Sequence, residues 1–164
     1  MSSFLNNHKT RGLRNNNPGN LIRTPNAWQG KIPYKDSKDA KFEQFTELKW
    51  GIRVMYKDLI NDINKGKNTV KKLISEYAPP NENDTKNYIA LVSKSIGISE
   101  NQVITKVNSE FLKLLARAIM KVELGKDHVL VTDSDLDDAL SVLGDASLKN
   151  VVVEVVKKKK QSTV

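Results

Sequence analysis

The segment Ser109–Gly125, SEFLKLLARAIMKVELG, constrains the fold more than any other part of the chain. Its apolar residues recur every three or four positions, the period of an α-helix that turns one face to a core. Because this face is wide, other elements must cover it, and we expect the helix to be central to the hydrophobic core. We predict that Ser109 caps the helix and that Gly125 ends it. The apolar residues are Phe111, Leu112, Leu114, Leu115, Ala118, Ile119 and Val122.

Further helices are predicted earlier in the chain from capping residues and helix breakers. Each apolar stripe there follows a residue that favours an N-cap, and glycine or proline interrupts each stripe. The predicted starts are Thr46, Asn68 or Thr69, Asp84 and, for a short helix, Ser99 with Gln102; the predicted ends are Lys65–Gly66, Ala78 and Gly97.

The two ends of the chain differ from this helical middle. Residues 1–10 are polar and are predicted to form a flexible arm, and residues 11–45 to form loops with short strands at Leu21–Arg23 and Phe42–Phe45. Residues 128–156 are predicted to form a small α+β extension, with an acidic helix at 133–144 and a strand at 151–156. The basic tail 157–164 is predicted to be disordered. The main domain is therefore predicted to span residues 11–127.

Composition excludes several classes of protein. The chain has no cysteine, and its two histidines, His8 and His128, have no ligand spacing, so we expect neither a metal site nor a cofactor. We expect no membrane span, because no apolar run approaches the necessary length, and no signal peptide, because the N-terminus has no apolar core. Residues 1–128 carry 22 Lys and Arg against 13 Asp and Glu, and such a basic body favours polyanionic partners.

The motif RNNNPGN, Arg14–Asn20, cannot be explained by apolar packing. One interpretation is a tight loop whose asparagine side chains satisfy its own backbone. The other is a polar cradle for a sugar, because amides both donate and accept the hydrogen bonds that hydroxyl and N-acetyl groups require. The two interpretations are compatible, and both stay open at this point.

Two further polar segments carry aromatic residues. Trp28, in the sequence Trp-Gln-Gly, either anchors its loop to the core or stacks on the apolar face of a sugar. In the segment 77–92, Tyr77 and Tyr88 flank a polar turn before a helix that starts under Asp84 and Thr85. The tyrosines either lie at the edge of the core or present their hydroxyls to a cleft.

Glu123 ends the core helix and follows Val122 at the edge of its apolar face. Desolvation there would favour the protonated carboxyl that a general acid needs to protonate a glycosidic oxygen. The alternative is an ordinary exposed glutamate in the last turn. Glu43, within FEQF between two inward-facing aromatic residues, is the second candidate, and its side chain is expected to point to solvent.

The succession of these segments resembles a group of phage virion proteins marked by RNNNPGN followed by W-x-G, over about residues 11–100. The pieces WGIRVMYKDL, SEYAPPNENDTKNYIALV and AIMKVELG are similar to those of lytic transglycosylases of the lysozyme superfamily, in a different order. The resemblance implies a mainly α, lysozyme-like domain that is circularly permuted. It also implies a particle-borne enzyme that cleaves peptidoglycan between muramic acid and glucosamine, acting in the host periplasm with Glu123 as its single catalytic carboxyl. The residues implied to bind the glycan are Asn15, Asn16, Asn17, Asn20, Trp28, Gln44, Tyr77, Thr85 and Tyr88.

Two other functions remain open. The chain departs from the transglycosylase pattern where Leu124 follows the glutamate and Tyr-Ala-Pro-Pro replaces Ala-Tyr-Asn-Ala-Gly, which favours a structural virion protein with a lysozyme-like fold and no activity. Such a protein would contact other virion proteins through its C-terminal extension, with Val151–Val156 adding a strand to a partner. The basic charge suggests nucleic-acid binding, but the chain has no recognition motif, and we expect this partner least. The cleavage of peptidoglycan depends on one expectation, that Glu123 and the asparagine-rich segment share one cleft, and a structure that separates them would favour the structural protein.

Overall fold

The computed structural model describes residues 2–79 and 84–144 and the backbone of residues 152–154. Over these residues the chain is mainly helical, as its apolar periodicity predicts. No helix among them is both long enough and apolar enough to cross a bilayer. In chain order the elements are α1 Arg11–Arg14, α2 Leu48–Asn64, α3 Val70–Tyr77, α4 Thr85–Ile96, β1 Lys106–Asn108, α5 Ser109–Glu123, a 3-10 helix Gly125–Leu130, α6 Asp133–Ser141 and β2 Val152–Glu154.

The caps of α3 and α4 are those predicted. The Thr69 side chain accepts a hydrogen bond from the backbone N–H of Lys72, and Asp84 caps α4. Gly97 follows α4 with a φ of 78°, a left-handed backbone that glycine adopts without steric cost. These ends could be predicted because they depend on local chemistry alone.

Two local predictions are wrong. Ser99 and Gln102 form a turn, with Gln102 N donating to Ser99 O at 3.1 Å, and no helix begins at this turn. Ser109 is the first residue of α5, and the cap is the side chain of Asn108, which accepts from Phe111 N at 2.8 Å. Asn108 lies in β1, and its extended backbone is the conformation that an N-cap residue requires.

The described residues form two units. The first comprises residues 2–59 and 116–144, and the second comprises residues 60–115 with the strand at 152–154. The predicted extension that starts at residue 128 is thus divided between the two units, with residues 128–144 in the first and the strand at 152–154 in the second. Helix α6 belongs to the first unit because its apolar residues Leu136 and Ala139 are buried and Tyr56 donates a hydrogen bond to Leu136 O.

The predicted flexible arm is also held in the first unit. Leu48 N donates to Ser2 O at 3.0 Å, and Ser2 Oγ donates to Asp135 Oδ1 at 2.6 Å. Asn6 N donates to Arg14 O at 2.8 Å. Residues 2–10 thus make long-range contacts that their polar composition could not reveal.

The predicted N-terminal strands are reduced to single bridges between extended segments. Ile22 pairs with Phe42 and Lys31 pairs with Phe45, both antiparallel. These bridges bring the segments around residues 22, 31 and 42–45 side by side in the first unit.

In the second unit, β1 and β2 pair in parallel, with Val107 opposite Val153. The part of the predicted strand at 152–154 pairs with β1 of its own chain, and its addition to a strand of a partner stays a prediction. Val151 and the predicted tail 157–164 lie outside the described residues.

Candidate active site

Glu123 and Asn20 meet in the first unit, although they lie 103 positions apart in the chain. Asn20 Nδ2 donates a hydrogen bond of 2.8 Å to Glu123 Oε1, and both residues are partly exposed. An amide N–H only donates, so this bond holds Oε1 as an acceptor and leaves Oε2 as the oxygen that can carry an acid proton. The structure therefore brings together the core-helix tip and the last asparagine of the motif.

Close backbone packing positions this pair. Asn20 has a φ of 52°, in the left-handed region that asparagine tolerates better than most residues. A Cβ added at Gly12 would lie 2.6 Å from Leu124 Cδ2 and 3.1 Å from Asn20 Oδ1. Glycine at position 12 thus lets α1 pack closely against Asn20 and against Leu124, the residue that follows Glu123.

The other asparagines of the motif have no exposed surface, so their predicted contact with a glycan is corrected. Asn15 Nδ2 donates to Asp39 Oδ2 at 2.9 Å, and Asn16 Nδ2 donates to Phe45 O at 2.9 Å. Asn17 Nδ2 donates to Glu43 O at 3.0 Å. Their hydrogen-bonding capacity is used inside the protein, as the interpretation of a self-satisfied loop expects.

Gln44 belongs to the same internal network and is corrected in the same way. It is 1% exposed, and its Nε2 donates to Asn15 Oδ1 at 2.8 Å and to Asn6 Oδ1 at 2.9 Å. Its Oε1 accepts from Lys38 N at 3.0 Å. Gln44 therefore ties the asparagine loop to its neighbours and does not face solvent.

Asp39 anchors this network, and sequence reasoning missed it. Its carboxylate accepts hydrogen bonds from Arg11 at 2.7 and 2.9 Å and from the backbone N–H groups of Lys41 and Phe42. The Arg11 hydrogen bond is the main cause that holds the pKa of Asp39 well below its usual range. The available signal was local: an aspartate that accepts from the N–H groups two and three residues later closes an Asx turn.

The predicted orientation of Glu43 is also wrong: the residue is 1% exposed, so its side chain does not face solvent. Its Oε2 accepts from Thr24 N and Tyr34 Oη, each at 3.0 Å, and lies 3.3 Å from Lys31 Nζ. A buried carboxylate needs such partners, and these come from loops that alternation along a strand cannot predict. Burial removes Glu43 from direct contact with a large substrate in this conformation.

The remaining predicted site residues fall in both units. Trp28, in the first unit, is partly exposed, so its predicted sugar contact remains a prediction. In the second unit Tyr77 is partly exposed, whereas Thr85 and Tyr88 are buried. Thr85 Oγ1 donates to Ala78 O at 2.6 Å, so this hydroxyl is used inside the protein and its predicted substrate contact is corrected. Tyr88 is buried as well, so its predicted contact with the substrate is also corrected.

The described part of the chain contains no cluster of side chains that could bind a metal ion. No group of three histidine, aspartate or glutamate side chains there is placed to hold an ion. The chemistry available at the Asn20–Glu123 pair is that of a carboxyl that accepts a hydrogen bond from an amide.

Comparison with known proteins identifies the family. No protein-family model matches the chain. Protein P5 of Pseudoalteromonas phage PM2 is 34% identical to it over 125 residues, which make up 74% of this chain and 75% of that relative. The match extends over most of both proteins. The chain therefore belongs to the family of Protein P5 of phage PM2.

Proposed function

We propose that this phage protein is carried in the virion and cleaves the glycan strands of host peptidoglycan, with Glu123 as its general acid. The observation that carries the proposal is the hydrogen bond from Asn20 to Glu123, which joins the asparagine-rich motif to the end of α5. The lysozyme-like, circularly permuted fold and the periplasmic site of action are parts of the same proposal, and they rest on the sequence resemblance.

In the proposed reaction, Glu123 Oε2 gives its proton to the glycosidic oxygen as the bond to the muramic acid carbon breaks. The resulting carboxylate then acts as a base: it takes the proton from a substrate hydroxyl or from water as that oxygen forms the new bond to the muramic acid carbon, which regenerates the acid. Asn20 keeps the carboxyl oriented by donating to Oε1 in both protonation states. We assign substrate contact to Asn20 and Trp28, both in the first unit.

The buried residues have a supporting role in this proposal. Asn15, Asn16, Asn17 and Gln44 hold the loop that ends in Asn20, and they act on the substrate only through that loop. A precise position of Asn20 matters because small displacements of a catalytic group are costly to the rate.

The test is digestion of purified cell-wall murein by the wild-type protein and by Glu123→Gln. Glutamine keeps an oxygen for Asn20 but cannot supply a proton, so release of soluble fragments should fall by about 100-fold or more. Glu110→Gln is the matched control, because Glu110 is an exposed glutamate in the first turn of the same helix. Digestion by Glu123→Gln at the wild-type rate would show that the assignment is wrong.

A second function is supported by a different observation. The hallmark asparagines 15–17 are wholly buried, so the most specific motif of the chain stabilises the fold without needing a substrate. A structural virion protein would require the same motif. Murein that stays intact with the folded wild-type protein, together with binding to other virion proteins, would favour this function.

A further inference from the structure

Four lysines are among the residues that line a groove in the second unit. Its volume is about 880 Å³, and its walls come from the residues after α2, the start of α3 and the loop after α4. Among the described residues that line it, Lys65, Lys67, Lys71 and Lys72 carry positive charge, and Glu76 carries the negative charge. The groove therefore has an excess of positive charge in a concave surface, where like charges reinforce one another's field.

The backbone of the groove is fixed by hydrogen bonds within the second unit. Lys67 N donates to Asp62 O at 2.9 Å, and Lys71 N donates to Glu100 O at 3.0 Å. Ile104 N donates to Asn68 O at 2.8 Å, which holds the loop after α4 against the start of α3. The lysines are thus presented from a defined backbone.

The side chains of all four lysines are exposed. Lys67 Nζ lies 3.7 Å from Glu76 Oε1, but these side chains are 46% and 52% exposed, so solvent weakens their attraction. Within the described lining of the groove, the four lysines outnumber the single acidic residue Glu76, and their exposed side chains are accessible to an anionic partner.

We propose that this groove binds the sugar–phosphate backbone of a nucleic acid without reading its base sequence. A lysine ammonium is a compact point charge that suits a phosphate oxygen, and several along one groove suit a chain of phosphates. The volume also exceeds what one small anion would fill, which favours a polymer. The proposal is independent of the activity proposed for Glu123.

The composition of the groove argues against other polyanions. Its described lining contains no aromatic side chain, so neither base stacking nor sugar stacking is provided for. Val103 is the one large apolar side chain in that lining, which is little for insertion into a lipid surface. The chain's lack of a recognition motif fits contacts with phosphates, which carry no base specificity.

The experiment measures binding of the full-length protein to a fluorescent DNA duplex of mixed sequence between about 50 and 200 mM salt. The test variant is Lys71→Gln with Lys72→Gln. The matched control is Lys35→Gln with Lys38→Gln, two exposed lysines of the first unit. Lys157–Lys160 are present in every protein compared, so they cannot produce a difference between the variants.

We expect wild-type affinity to fall steeply with salt. The slope of log affinity against log salt should shrink by roughly 0.9 for each groove lysine removed, because each phosphate contact releases counterions. The control should keep the wild-type affinity and slope. Circular dichroism establishes that the variants are folded; should the test variant unfold, Lys65→Gln with Lys67→Gln provides the same comparison.

Three results would overturn the proposal. The first is that the wild-type protein binds no duplex at low salt, and the second is that the groove and control variants lose affinity equally. In the third, the groove variant would keep DNA binding and lose binding to phosphatidylglycerol vesicles, which would identify a lipid surface as the partner.

Discussion

Asn20 Nδ2 lies 2.8 Å from Glu123 Oε1, so the end of the asparagine-rich motif directly contacts the end of the core helix. The motif has two parts with different roles. Asn15, Asn16 and Asn17 are in the interior, and Asn20 reaches the partly exposed carboxyl. Substitutions within this short segment should therefore separate stability from activity.

Asn20→Gly and Asn20→Ala both remove the hydrogen bond to Glu123. Both should lower murein digestion by about fivefold, since a typical hydrogen bond contributes about 1 kcal/mol. Alanine must also adopt the φ of 52°, so its free energy of unfolding should be about 1 kcal/mol below that of glycine. Urea unfolding and digestion measure the two effects; equal unfolding midpoints would contradict the left-handed conformation.

Asn16→Ala should affect stability and leave the chemistry intact. The buried amide of Asn16 donates to Phe45 O and accepts from Phe4 N, and its loss leaves buried backbone groups without partners. We expect the free energy of unfolding to fall by about 2–4 kcal/mol, with normal digestion per folded molecule. Asn7→Ala, at an exposed position, is the control. A fully stable Asn16→Ala protein that has lost activity would instead support sugar binding by this residue.

Asp39 should make stability depend on pH. Its pKa is lowered in the folded protein, chiefly by the Arg11 hydrogen bond, so its stabilisation is present above the ordinary aspartate pKa of about 3.9 and is lost as the pH falls below it. In Asp39→Asn this loss should be absent, and stability at pH 7 should be about 2 kcal/mol lower. Urea unfolding at pH 7 and at pH 3 measures both. Parallel pH profiles for the two proteins would show that Asp39 is not responsible.

Glu43 should tolerate glutamine better than leucine. Glutamine keeps an acceptor for Thr24 N and Tyr34 Oη and loses only the charge opposite Lys31. Leucine removes the acceptor and leaves the backbone N–H of Thr24 without it, whereas Tyr34 and Lys31 keep Thr24 O as an acceptor. We expect a loss of about 1 kcal/mol for Glu43→Gln and about 3 kcal/mol or more for Glu43→Leu. Thermal unfolding measures the difference. If the two variants unfold alike, the buried carboxylate does not organise these loops.

Whether a structural feature could be predicted from the sequence depends on how far apart in the chain the interacting residues lie. The starts of α3 and α4 depend on Thr69 and Asp84, whose side chains bond to N–H groups within the same turn, and both were predicted. The start of α5 depends on Asn108 in a preceding strand, and it was misplaced by one residue. The two-unit division and the held N-terminal residues depend on contacts between distant segments.

The candidate site shows the same limit. Its glutamate and its asparagine-rich motif could each be picked out from residue type and position, because an acid at the end of an apolar helix and consecutive amides are unusual locally. Burial could not be predicted for Glu43 or Gln44, since it depends on which loops cover them.

By itself, the sequence determined the helical class, most helix ends and the two segments that form the candidate site. These follow from side-chain periodicity and from hydrogen bonds between residues close in the chain. Only the tertiary structure decided which asparagines are interior and which one meets Glu123. The physical reason is that an amide's role is set by the partner it reaches, and here that partner lies 103 positions away in the chain.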